Sequence, residues 1–204
     1  MPAEGLVHVI DDDEAMRHSL AFLLESEGIG VRTYESALAF LERAGELEPG
    51  CIVTDIRMPG MTGLELVHKL AELGIGHPVI AITGHADVPL AVQAMKAGVA
   101  DFIEKPFDEE VLLGAIRRGL DTSRESEERG EEKRRTAERI EALSGRERQV
   151  LDGLVEGKPN KIIAFDLGIS ARTVEIYRAN VMSKMGAGSL SELVRMAMLA
   201  AGPS

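Results

Sequence analysis

Residues 53–63 read VTDIRMPGMTG and follow directly on the apolar pair Cys51 and Ile52. A short apolar run that ends in a single carboxylate, Asp55, and then turns through Pro59 and Gly60 has the form of a doubly buried strand leaving its sheet. Thr62 and Glu65 stand at capping-box spacing and open a helix. The same order of strand, turn and helix recurs on both sides. Strands are expected at 6–10, 30–34, 51–54, 78–82 and 100–104, with helical patterns between them, the fourth helix opening at Asp87 and Pro89. This alternation predicts an α/β domain: a doubly wound, five-stranded parallel sheet with helices on both faces.

The chain has 204 residues, enough for one large or two modest cores. No run of about 18 apolar residues could span a bilayer, so no membrane partner is expected. The first dozen residues, MPAEGLVHVIDD, lack a basic export signal, and a cytoplasmic location is expected. Cys51 has no second cysteine to pair with and reads as a small core residue. A formal charge of −11 argues against indiscriminate coating of nucleic acid, but the acidity is uneven. From Ile140 onward eight Lys and Arg stand against seven Asp and Glu, so any nucleic-acid surface is local to that tail. With no Trp and two Tyr, base-stacking on single strands has little to work with.

Residues 121–139, DTSRESEERGEEKRRTAER, are almost free of apolar side chains and read as a linker between cores. Glu/Arg pairs at three- and four-residue spacing favour a solvated helix, against which Gly130 costs about 1 kcal/mol; a flexible coil is the alternative. Beyond it, helices are expected near 145–155, 160–167, 171–185 and 190–200, with Ser144/Glu147 and Ser189/Glu192 as capping boxes. The organisation is therefore 1–120, a linker at 121–139, and a small all-α four-helix domain at 140–204.

Chemistry concentrates at the carboxyl ends of the strands, where open parallel sheets place their ligands. Strand one delivers Asp11, Asp12 and Asp13, and strand three delivers Asp55. Clustered carboxylates repel, and a hard cation, best Mg²⁺, explains the cluster economically. Asp13 reads as a helix cap. Thr83 and Lys105, on strands four and five, supply a hydroxyl and a cation suited to a phosphoryl group. Asp55 is the candidate nucleophile and would form an acyl phosphate. The five histidines show no paired metal-ligand spacing and are left as surface or core residues.

VIDDDEAMR, VTDIRMPGMTG, VIAITGHAD and FIEKPF, in this order, resemble the receiver domains of two-component signalling over about residues 6–120. The resemblance implies that Asp55 is the phosphoacceptor and that Asp11, Asp12, Asp55 and the backbone carbonyl of Arg57 hold Mg²⁺. It also implies that Thr83 and Lys105 meet the phosphoryl oxygens, that Thr83 and Phe102 act as the switch pair, and that Lys105–Pro106 is cis. Phe102 has no phenolic hydroxyl and would respond through packing alone.

The tail ALSGRERQVLDGLVEGKPNKIIAFDLGISARTVEIYRANVMSKMGAGSLSELVRMAM is similar to the helix-turn-helix domain of the LuxR and FixJ/NarL regulators. Ile162, Ile163 and Leu167 suit the supporting helix, Gly168 the turn, and Ser170 the cap of the helix that would enter the major groove. On that helix Val174, Tyr177, Val181 and Met185 form one face; Arg172, Glu175, Ile176, Ala179 and Ser183 form the other, with Thr173 beside it at the amino-terminal end. Arg178, Lys184 and Lys161 are better placed for phosphates. Glu175, Tyr177, Pro159 and Ile162 depart from the family's usual residues, which weakens any carry-over of base contacts.

The resemblance implies a response regulator rather than an enzyme. A sensor histidine kinase would phosphorylate Asp55, the receiver would form a homodimer, and the tail would bind double-stranded promoter DNA and recruit RNA polymerase. Its FixJ branch implies activation of nitrogen-fixation genes. Two rival readings exist: a Mg²⁺-dependent aspartyl phosphatase, which would want an acid where Arg57 stands, and a receiver working through protein contacts only.

Overall fold

The computed structural model describes residues 5–84 and 88–201; the expected helix start at Asp87, and His85, lie outside them. The chain divides into two compact units, Met1–Glu127 and Glu128–Ser204.

In the first unit the strands are β1 (Leu6–Ile10), β2 (Gly30–Tyr34), β3 (Gly50–Asp55), β4 (Val79–Thr83) and β5 (Asp101–Glu104). They pair in parallel in the order β2-β1-β3-β4-β5. Between them lie α1 (Glu14–Ser26), α2 (Ala37–Leu41), α3 (Gly63–Glu72) and α4 (Val88–Ala97), and α5 (Glu109–Glu141) follows β5. Every residue of the central strand β3 is buried, as a strand covered on both faces requires. Its side chains alternate. Cys51 and Val53 join Val7, Val9, Ile80 and Ile82 in a core closed by Leu20 and Leu24 of α1 and Leu112 and Ile116 of α5. Ile52 faces the opposite core with Ile10, Phe40, Leu66 and Leu70. Burial pushes the Cys51 thiol up to about 12, in keeping with an inert core residue.

β3 extends to Asp55 itself, whose register partner is Ile82, so the ladder carries one residue further than the apolar run suggested. The carboxylate sits at a rigid strand end and not in a loop. α3 opens with a capping box in which the Thr62 side chain accepts from the Glu65 N–H and the Glu65 carboxylate accepts from the Thr62 N–H.

α5 is a single helix of 33 residues whose last turns belong to the second unit. That unit adds α6 (Gly145–Val155), α7 (Asn160–Leu167), α8 (Ala171–Met185) and α9 (Leu190–Ala201). Val150, Leu151, Ile163, Val174, Val181, Met185 and Leu193 make its core. Gly168 ends α7 at φ 65°, a left-handed conformation that favours glycine and sets the turn between α7 and α8. Ile162 is 46% exposed, because the buried stripe of α7 runs through Ile163 and Ala164. Among the described residues no helix is long and apolar enough to cross a membrane.

Candidate functional site

At the carboxyl edge of the sheet, Lys105 Nζ donates to Asp55 Oδ1 at 2.9 Å and to Asp11 Oδ2 at 3.0 Å. Both carboxylates are buried, and each has a second donor. Asp55 Oδ2 accepts from the Arg57 N–H at 2.8 Å, and Asp11 Oδ1 from the Asp13 N–H at 2.8 Å. Burial raises the Asp11 pKa, with the Asp13 N–H and Lys105 opposing the rise. Burial also works against the charge on Lys105, but its hydrogen bonds to Asp55 and Asp11 outweigh this and leave its pKa raised. The cluster is thus two buried acids sharing one ammonium, a site whose net negative charge favours a further cation.

Asp13 caps α1, accepting from the Ala15 and Met16 N–H groups, while Asp12 beside it is exposed. Thr83, fully buried, ends β4, and its carbonyl accepts from the Lys105 N–H at 2.7 Å. Phe102 packs half-buried against the α3/α4 side of the sheet, and Lys105–Pro106 is cis. Arg17, which the sequence did not single out, donates to the Asp11 carbonyl at 2.7 Å. No local sequence signal marks it, since the contact joins the end of β1 to the first turn of α1. Among the described residues no three acidic, His or Cys side chains converge on one point. Mg²⁺ asks less than that, since it takes one or two carboxylates and keeps waters. Asp11 and Asp55 are the right donors in kind.

In the second unit α8 shows the two expected faces: Val174, Val181 and Met185 are buried, whereas Arg172, Glu175, Ile176, Ala179 and Ser183 are exposed. Ser170 caps it, accepting from the Thr173 N–H and sharing a hydrogen bond with the Thr173 hydroxyl at 2.8 Å. Lys158, Lys161, Glu175 and Arg178 line one groove, so three cations and an acid meet beside the exposed face. Lys184, a phosphate candidate, places its ammonium 2.7 Å from Glu147.

Glu147 is itself 4% exposed and closes the capping box of α6. Lys184 and the Ser144 N–H hold its carboxyl at about 2, below its ordinary value of 4.5. A depressed carboxyl stabilises the fold fully above its unfolded pKa and loses that contribution as pH falls through the folded one. Glu147→Gln should therefore unfold at a lower temperature than the unsubstituted chain near neutral pH. Calorimetry should show the gap closing as the pH falls from about 4.5 toward about 2.

A five-stranded parallel sheet carrying this acid–lysine cluster, followed by a four-helix unit with a capped, two-faced helix after a left-handed turn, defines a phosphoryl-receiving module joined to a DNA-reading one. Residues 7–117 match the response regulator receiver domain, and residues 141–197 match the bacterial regulatory proteins of the luxR family. The chain belongs to the two-component response regulators with a LuxR-type output domain, a family of DNA-binding transcription regulators and not of conventional enzymes. It is 58% identical over 200 residues to the transcriptional regulatory protein FixJ of Azorhizobium caulinodans, covering 98% of this chain and 95% of that one. With FixJ of Rhizobium meliloti it shares 52% over 199 residues, 97% and 98% of the two chains. Among solved structures it resembles full-length FixJ from B. japonicum (48% identity, 98% of each chain, TM-score 0.59). It also resembles the response regulator StyR (42% identity, 94% and 97% coverage, TM-score 0.82).

Proposed function

We propose that a sensor histidine kinase phosphorylates Asp55, that the phosphorylated receiver dimerises, and that the paired output domains bind a promoter and activate transcription. The observation that carries this reading is the Asp11–Lys105–Asp55 cluster, with its buried acids fixed at strand ends by backbone donors. An Asp55 carboxylate oxygen attacks the phosphorus of a phosphohistidine, the P–N bond breaks, imidazole leaves and an acyl phosphate remains. Asp11, Asp12, Asp55 and the carbonyl of Arg57 would hold Mg²⁺, which offsets charge on the phosphoryl oxygens. Lys105 binds one phosphoryl oxygen, and Thr83 turns to another. Phe102 then repacks, altering the surface of α4, β5 and α5. That surface already leaves Val88, Val92 and Met95 of α4 and Val111 of α5 exposed, an apolar face suited to a second receiver. The absence of an acid at position 57 speaks against the phosphatase reading.

At the DNA, Arg172, Thr173, Glu175, Ile176 and Ala179 face the bases, and Lys161, Arg178 and Lys184 meet phosphates, Lys184 from its ion pair with Glu147. The likeness to FixJ proteins supports nitrogen-fixation genes as targets. Footprinting of genomic fragments with and without acetyl phosphate and Mg²⁺ tests the whole reading; protection indifferent to phosphorylation counts against it. Arg178→Ala should weaken binding to all sequences alike and flatten the slope of log affinity against log salt by about one. Titrations by fluorescence anisotropy at several salt concentrations measure that slope.

A further inference from the structure

We propose that the outer ridge of α7, formed by Ile162 and Phe165, is the contact through which the DNA-bound regulator engages RNA polymerase; this rests on the promoter-activating reading above. Phe165 is 85% exposed, the most exposed of the large apolar side chains among the described residues, and Ile162 is 46% exposed. Three residues apart, they stand side by side on a stripe directly opposite the buried Ile163 and Ala164. Neither contributes to the core of the unit. A large aromatic kept in water on an eight-residue helix has no folding role, and such side chains anchor protein interfaces.

The charges beside the ridge say what fits it. Asp152, Glu156 and Asp166 line one cleft between α6 and α7, with Lys158 as the cation among them. Lys158 Nζ is spent on two of these acids, 2.8 Å from Glu156 and 2.9 Å from Asp166. Three carboxylates against one ammonium repel DNA phosphates, so this flank of the ridge does not face the duplex; Lys161, four residues before Phe165, borders the opposite flank and, with Lys158 and Arg178, lines the neighbouring groove. A second copy of the chain, at −11, is a poor match for an acidic patch. The occupant that fits is a polymerase surface offering an apolar pocket and, toward the acidic flank, Lys or Arg side chains.

The test compares full-length Phe165→Ala and Asp166→Asn with the unsubstituted chain, each phosphorylated with acetyl phosphate. Three quantities are read: affinity for a promoter fragment, run-off transcription, and binding of purified polymerase holoenzyme without DNA. The expected result is unchanged promoter affinity, with transcription and polymerase binding down on the order of tenfold for Phe165→Ala and less for Asp166→Asn. Polymerase binding untouched by either substitution overturns the inference, whether or not promoter binding depends on phosphorylation. Promoter affinity that falls in step with transcription overturns it too, by making the ridge a DNA contact. If the unsubstituted chain binds no promoter, the broader reading fails while the polymerase arm still decides this one.

Discussion

Asp55→Asn is expected to take up no phosphoryl group from acetyl phosphate and Mg²⁺, and to hold its promoter affinity at the unphosphorylated level whatever donor is added. The amide is a poor nucleophile and carries no charge, so both the bond-forming step and the attraction for Lys105 and Mg²⁺ are lost together. The fold should survive, because an Asn oxygen can still accept from the Arg57 N–H, which lies 2.8 Å from the native carboxylate. Coupling between two sites is commonly worth about 5- to 150-fold in affinity. That range is the expected gap between phosphorylated wild type and the variant on a promoter fragment. Intact mass reads the phosphoryl group, sedimentation reads the dimer, and anisotropy reads the DNA. A variant that still gains mass, or gains affinity with a donor, would place the acceptor elsewhere and sink the assignment.

The parallel sheet was legible because strands covered on both faces need nearly continuous apolar runs, and 51–54 and 78–82 supply them. What marks a strand's end is weaker: β3 runs on to Asp55 because the Asp55–Ile82 pairing continues, although a carboxylate looks like a loop residue. The acids and the lysine could be placed at one edge from strand order alone. That Lys105 would bridge Asp11 and Asp55, 94 and 50 residues away, follows only from the packed backbone. In the tail the cap residues and glycines placed the helices closely, since both signals are local; the Ser144/Glu147 box closes, whereas at α9 Ser189 accepts from the Glu192 N–H but the Glu192 carboxylate takes the Gly188 N–H. Which side of α7 is inside was harder to read. Eight residues give barely two turns, and Ile162, Ile163 and Phe165 are all apolar, so periodicity cannot separate the buried stripe from the exposed one. The ion pair of Lys184 was illegible for a related reason: the Glu147 that meets it lies 37 residues upstream.

Gly63→Ala should disturb the phosphorylation site more than so small a change suggests. Gly63 is the first residue of α3, and its N–H donates to the Ile56 carbonyl at 2.9 Å, lacing the helix to the end of β3. A methyl group there would lie inside contact distance of the Asp55 carbonyl oxygen and 3.1 Å from the Ile56 Cα. Both neighbours are backbone, and Ile56 is fixed in turn by its N–H to the Ile82 carbonyl at 2.9 Å, so the strain cannot be relieved by rotating a side chain. Overpacking of this kind costs about 1–3 kcal/mol, and here the displacement falls on the residue that must present its carboxylate to Lys105. Gly114→Ala in α5 is the contrast. Its new methyl would meet only the Arg118 guanidinium at 3.5 Å, and replacing a helix-interior glycine should stabilise by up to about 1 kcal/mol. Calorimetry and the initial rate of phosphorylation by acetyl phosphate should therefore separate the pair: Gly63→Ala less stable and slower, Gly114→Ala more stable with its rate unchanged. Equal rates in both would mean that the start of α3 does not set the position of Asp55.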